Sequence, residues 1–118
     1  MTSIGLDAKT LKKLQQLFAG YPNIAQVKLY GSRAKGSFHA QSDIDLVVFG
    51  EDIDRFAIAA ILMEFDESDI PYQVDLQNYH ELKNRSLIEH IDRVGVVIYQ
   101  KFGSGEQEIA ASWVQGVV

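Results

Sequence analysis

The carboxylates of Asp43 and Asp45 are the residues of this 118-residue chain whose spacing points most directly to chemistry. They open an apolar run, Leu-Val-Val-Phe, that is typical of a buried strand. Because side chains alternate along a strand, both are expected on one face. Two like charges about 4 Å apart repel by roughly 4 kcal/mol at an effective dielectric near 20, so the pair must be protonated, exposed or neutralised by a cation. Carboxylate oxygens favour Mg2+, which phosphates commonly complete.

A glycine turn precedes this acidic pair at Gly31 and Ser32, where an apolar strand pattern stops. Glycine lets the backbone approach an anion closely, and N–H groups that open a following helix can bond phosphate oxygens together with the Ser32 hydroxyl. Arg33 or Lys35 can also reach a triphosphate, although a solvated charge is expected for at least one of them. The sequence therefore predicts a phosphate-binding turn just before the acidic pair.

Both motifs, at this spacing, resemble the signature of the DNA polymerase β-like nucleotidyltransferase superfamily. The matching segments are Gly31-Ser-Arg-Ala-Lys-Gly36 and Ser42-Asp-Ile-Asp-Leu46, and they look most like the minimal, MNT-type members. The resemblance implies transfer of a nucleoside monophosphate to a hydroxyl acceptor, with AMP from ATP as the favoured case. It also implies a HEPN-type protein partner, as in HEPN/MNT toxin–antitoxin pairs, with that partner as the expected carrier of the hydroxyl.

The same resemblance assigns roles to individual residues. It implies that Asp43 and Asp45 are catalytic and bind two Mg2+ ions, which Mn2+ can replace, and that Gly31, Ser32 and Arg33 bind the nucleotide phosphates. In the superfamily a third carboxylate on a following strand completes the metal site. Asp75 stands where this chain can supply it, binding the second ion and accepting a proton.

Asp75 has a plainer interpretation when it is taken alone. It lies between Val74 and Leu76, whose apolar side chains predict the core-facing side of a strand, so an alternating strand would expose Asp75 in any case. The glycines could likewise only shape a tight turn. A non-catalytic nucleotide-binding module, or an interaction module that neutralises a HEPN partner by occlusion, is the alternative function.

Composition limits the remaining classes of function. The chain is 47% apolar and 23% charged, as in a single globular domain, and it has no cysteine for disulfides or thiolate metal sites. A net charge of −5 makes binding to nucleic acid unexpected, because such binding depends on clustered Lys and Arg. No apolar run is long enough to span a membrane and no signal peptide is recognisable, so the expected location is the cytoplasm.

The pattern of apolar residues predicts an α/β fold, with a small mixed sheet flanked by helices, as in the minimal nucleotidyltransferase fold. A nucleotidyltransferase domain is predicted over 1–102 and a flexible C-terminal tail over 103–118. The first helix is expected between Asp7, as its N-cap, and Gly20. The other predicted elements are helices at 55–65 and 81–91 and strands at 24–30, 44–49, 72–77 and 96–99.

Histidine and aromatic side chains give little evidence about the function. His39 is expected in an exposed loop, and His80 and His90 are expected at a helix surface or cap. Tyr30 could stack on a base but is expected in the core or at its rim. Met63 is expected to fill the core.

Overall fold

A four-stranded sheet is the centre of the computed structural model, which describes residues 6–36 and 43–101. The strands are β1 Ile24–Tyr30, β2 Ile44–Gly50, β3 Val74–Asn78 and β4 Val96–Gln100, in the spatial order β3-β2-β1-β4. β1 runs antiparallel to both β2 and β4, whereas β2 and β3 are parallel. The mixed sheet predicted from the sequence is therefore confirmed.

Helices connect these strands. They are α1 Ala8–Ala19, α2 Ser32–Lys35, α3 Arg55–Glu67 and α4 Arg85–Val94, with a 3-10 turn at Tyr79–Glu81.

A side-chain cap begins each of the three long helices. Asp7, as predicted, accepts a hydrogen bond from the Thr10 N–H at 2.7 Å at the start of α1. Asp54 and Asn84 cap α3 and α4 in the same way. These caps satisfy backbone donors that have no partner within the helix.

The two faces of the sheet carry separate cores. On one face, α1 and α3 pack through Phe18 and Phe65 against alternate strand residues such as Leu46. On the other face, α4 packs Ile91 against Tyr30 and Val47. Leu46 and its neighbour Val47 are both fully buried, as the continuous apolar run of β2 predicted. The second face is the one on which the acidic residues lie.

Several predicted boundaries differ from the observed ones, most of all at α4. β3 begins at Val74 rather than at 72, and α4 spans Arg85–Val94 rather than 81–91. At the start of α4 the reason is local, because the Asn78 side chain accepts the His80 N–H and closes the 3-10 turn before Asn84 can start α4. Short polar side chains that bond nearby N–H groups compete with helix propagation.

Helix α3 packs on the sheet as expected, but its outer face is also apolar. Met63 is 64% exposed and Phe56 is 69% exposed, so the prediction that Met63 fills the core was wrong. None of the helices within 6–36 and 43–101 is long and apolar enough to cross a membrane. The predicted tail, 103–118, lies outside the residues that the structure describes.

Candidate active site

Three polar side chains form a row across the sheet. Asp45 on β2 is in register with Asp75 on the parallel strand β3, and with Tyr30 on the antiparallel strand β1. Neighbouring strands lie about 4.8 Å apart, and residues in register share one face. The fold therefore brings together Asp45 and Asp75, two carboxylates that are thirty positions apart in the chain, as predicted.

Within residues 6–36 and 43–101, the charges that shift the pKa of Asp45 are those of other carboxylates. Burial raises the pKa of the Asp45 carboxyl, and the negative charges of Asp75 and Asp43 raise it further. Asp43 itself is exposed at the start of β2. Each of these effects disfavours the ionised form of Asp45, so the site is electrostatically prepared for a positive charge.

Tyr30, the last residue of β1, lies close to both carboxylates of the row. Its side chain is only 6% exposed. The pKa of Tyr30 is raised, first by burial and then by the charges of Asp75 and Asp45. The Gln77 amide donates a hydrogen bond to Asp75 Oδ2, at 3.4 Å. A donor of its own strand therefore contacts the Asp75 carboxylate.

The glycine turn lies directly against Asp45. Gly31 has φ 75° and ψ −155°, a conformation that is open almost only to glycine. A Cβ on Gly31 would stand 2.3 Å from Asp45 Oδ2, where no side chain fits. The Gly31 N–H donates to His90 Nε2 at 3.2 Å. The turn and the acidic pair, predicted from separate motifs, therefore share one space.

The residues that follow Gly31 lie in α2. Ser32 opens this short helix and is half-buried. Arg33 is 3% exposed, with its guanidinium carbon 4.4 Å from the centre of the Tyr72 ring, while Lys35 is exposed. The guanidinium of Arg33 thereby links α2 to the segment before β3. Phosphate binding by Gly31, Ser32 and Arg33 stays a prediction.

The donor set suits Mg2+ without forming a closed cage. Among residues 6–36 and 43–101, no group of three or more His, Cys, Asp or Glu side chains is arranged to hold a metal ion by itself. Mg2+ keeps several waters and is usually bound by one or two carboxylates together with substrate phosphates. Asp45 and Asp75, side by side on neighbouring strands, fit that partial coordination.

Sequence reasoning missed two members of this site. His90 was expected at a helix surface or cap, yet it is half-buried and contacts Gly31. Tyr30 was placed correctly in the core, but its position beside Asp45 in the carboxylate row was not foreseen. No sequence signal marks His90, because it meets the turn only after α4 has packed on β1. Tyr30 could have been found from its position just before Gly31, on the face opposite to Leu29.

Comparisons with known proteins agree with this geometry. The family profile described as "Polymerase beta, Nucleotidyltransferase" matches residues 12–102. The probable protein adenylyltransferase MntA of Haemophilus influenzae is 36% identical over 98 residues, which cover 82% of each chain. This chain therefore belongs to the polymerase β nucleotidyltransferase family, and its similarity is to the minimal, MNT-type members.

Solved structures support the fold assignment. A toxin–antitoxin complex crystallised with AMP-PNP contains a chain that matches with TM-score 0.65 and 22% identity, covering 94% of this chain and 86% of that one. An MNT antitoxin in complex with a tri-AMPylated HEPN toxin of Shewanella oneidensis matches with TM-score 0.61 and 18% identity, covering 92% and 82%. These likenesses establish the minimal nucleotidyltransferase fold.

Proposed function

We propose that this chain transfers AMP from ATP to a hydroxyl group on a HEPN-type partner protein. Nucleotidyl transfer is the activity of the family to which the chain belongs. The choice of AMP and of a protein acceptor is supported by the name of the H. influenzae relative, a probable protein adenylyltransferase. It is also supported by the modified HEPN toxin bound to an MNT antitoxin of the same fold.

One observation carries the proposal, namely the arrangement of Asp45 between Gly31 and Asp75. Asp45 is in register with the second carboxylate, Asp75, and lies against the glycine turn at Gly31. It can therefore interact with a cation and lie next to a bound phosphate chain. Burial raises the pKa of Asp45, and the negative charges of Asp75 and Asp43 raise it further, so a cation bound there would relieve both effects. A module that only docks on its partner would not need this electrostatic cost.

Mg2+ is the cofactor that we propose, with Asp43 and Asp45 holding two ions and Asp75 sharing the second. When bound, the ions neutralise charge on the triphosphate and lower the pKa of the attacking hydroxyl. Mn2+ has similar ligand preferences and can substitute. We also expect the reaction to take place in the cytoplasm.

The proposed reaction is a displacement of pyrophosphate at the α-phosphorus of ATP. The acceptor oxygen bonds to the α-phosphorus of ATP as the bond from that phosphorus to the β-phosphate oxygen breaks. Pyrophosphate leaves, and the Asp75 carboxylate takes the hydroxyl proton. Gln77 orients Asp75 for that step through its hydrogen bond. The Gly31 turn, with Ser32 and Arg33, positions the triphosphate so that the acceptor lies in line with the α-phosphorus.

Mass spectrometry of the partner tests this function. The chain is incubated with ATP, Mg2+ and its HEPN-type partner, and the partner is expected to gain the mass of one or more AMP groups. Asp43→Asn and Asp45→Asn should abolish the gain. Asp66→Asn, which neutralises an exposed carboxylate of α3, is the matched control and should leave it intact.

The same results distinguish nucleotidyl transfer from the alternative function, which is neutralisation of the partner by occlusion. A partner that gains no mass with the wild-type chain, but is still neutralised by it, would show action by occlusion. An equal gain with Asp43→Asn would place the chemistry elsewhere in the chain.

A further inference from the structure

We propose that His90 is a positioning residue for the nucleotidyl transfer, holding the glycine turn against Asp45. This inference rests on the proposed function and assigns to it a residue outside both sequence motifs. His90 lies on α4, fifty-nine positions after Gly31, yet its imidazole is in contact with that turn.

Two contacts place the imidazole at the turn. Nε2 of His90 accepts the Gly31 N–H at 3.2 Å, so Nε2 carries no proton and the neutral ring bears its proton on Nδ1. The ring also meets the Tyr30 ring edge to face, with centroids 6.1 Å apart and planes at 80°. His90 therefore contacts two consecutive residues, Gly31, which lies against Asp45, and Tyr30, which is in register with Asp45.

The support behind His90 is rigid. Its neighbour Ile91 is fully buried against Tyr30 and Val47. The Ile91 carbonyl accepts the Gly95 N–H at 2.8 Å, which ends α4. A side chain on a packed helix can hold a turn within the tolerance that transfer chemistry requires, as a loop residue could not.

The bond to His90 defines what Gly31 contributes. Its N–H points at the imidazole, so this N–H is not one of the phosphate donors. The bond fixes the peptide plane between Tyr30 and Gly31 and thereby the unusual φ of the glycine. That conformation leaves the space in which Asp45 lies. Without the acceptor the turn can rotate, and the carboxylate row and the triphosphate lose their common alignment.

Three variants separate positioning from folding. His90→Phe keeps a ring against Tyr30 but removes the acceptor, whereas His90→Gln keeps an acceptor oxygen on a side chain of similar reach. His80→Phe alters an exposed histidine of the 3-10 turn and serves as the control. Each variant is assayed with Mg-ATP and the HEPN-type partner, and thermal unfolding and partner binding are measured in parallel.

We expect His90→Phe to lower kcat/KM for Mg-ATP about tenfold or more, since small displacements of reacting groups cost rates of that order. The loss should include a higher KM for Mg-ATP, with partner binding unchanged. His90→Gln should recover most of the loss, and His80→Phe should match wild type. A structural role alone would lower the unfolding temperature of His90→Phe without changing KM, and that result would overturn the inference.

Nitrogen NMR tests the contact without any assay of activity. The imidazole 15N signals that disappear in His90→Gln belong to His90, and Nε2 should resonate as an unprotonated nitrogen. A protonated Nε2 in the neutral ring would overturn the inference. Failure of transfer by the wild-type chain would overturn the proposed function and this role with it, whereas an active chain that His90→Phe leaves unimpaired would overturn the role of His90 alone.

Discussion

The Asp45 carboxylate occupies the space that a side chain on Gly31 would need. A Cβ at position 31 would stand 2.3 Å from Oδ2 and 3.2 Å from Cγ of Asp45. Position 31 therefore requires glycine for two independent reasons, its backbone conformation and the neighbouring carboxylate. The two sequence motifs constrain each other in space, and a change in one is expected to disturb the chemistry of the other.

Gly31→Ala should therefore damage transfer far more than a comparable glycine substitution. Gly36 offers the control, because it also has a positive φ, 82°, but a Cβ there meets nothing within 4 Å. Gly36→Ala should lose on the order of 1–2 kcal/mol of unfolding free energy from left-handed backbone strain, and Gly31→Ala about 1–3 kcal/mol, because its φ and ψ are open almost only to glycine. In steady-state kinetics, Gly31→Ala alone should lower kcat/KM for Mg-ATP, by about a hundredfold, through displacement of Asp45. Equal losses of activity in the two variants would show that strain, not the clash, matters.

Much of the fold could be predicted from the sequence because local signals agree with one another. The N-cap of α1 at Asp7 and the bounds of β1 were predicted as the structure has them. The main error lies where short polar side chains determine the start of an element. Between β3 and α4, Asn78 caps the 3-10 turn and Asn84 caps α4. Whether such a residue caps a turn, caps a helix or continues a strand depends on backbone geometry that the residue type does not specify.

The site was predictable only in its motif residues. Alternation along a strand predicted that Asp43 and Asp45 share a face, and the family resemblance supplied Asp75, which the parallel register places beside Asp45. The contact between His90 and Gly31 depends on how α4 packs across β1, which no local pattern encodes. The burial of Arg33 likewise depends on tertiary structure, because its guanidinium lies over the ring of Tyr72.

The stability of the metal-free protein should depend on pH through Asp45. Its pKa in the folded chain is raised above the ordinary value of 3.8, first by burial and then by Asp75 and Asp43. Asp45 therefore favours folding below about pH 3.8, where it is protonated in both states, and this contribution is lost as pH rises through the folded-state pKa. In EDTA at pH 7, Asp45→Asn should melt above wild type, and the difference should shrink as the pH approaches 3.8.

A matched control separates this effect from a general loss of negative charge. Asp66→Asn removes one charge from an exposed position on α3 and should produce a smaller change at pH 7. If Asp45→Asn melts below wild type in EDTA at neutral pH, then the carboxylate is not under the repulsion that the structure indicates.

In the absence of an acceptor, Mg2+ with the ATP analogue AMP-PNP should reverse that order of stability. The charges that oppose folding in the free protein, on Asp45 and Asp75, become ligands once a cation lies between them and the triphosphate. Binding to the folded state alone adds about 2.7 kcal/mol when the ligand is present at a hundred times its Kd. For a domain of this size, 1 kcal/mol corresponds to roughly 4–8 °C in melting temperature. Wild type should therefore gain well over 10 °C with Mg2+ and AMP-PNP, and Asp45→Asn should gain much less.

The diagnostic result is a reversal in the order of melting temperatures. Asp45→Asn should melt higher in EDTA, and wild type should melt higher with Mg2+ and AMP-PNP. Melting curves recorded by differential scanning fluorimetry measure both orders in one experiment, and added EDTA should restore the first. Asp66→Asn should follow wild type throughout, because its charge lies on α3, which packs on the opposite face of the sheet. Equal gains by wild type and Asp45→Asn would place the cation away from the carboxylate row, and with it the chemistry proposed for Asp43, Asp45 and Asp75.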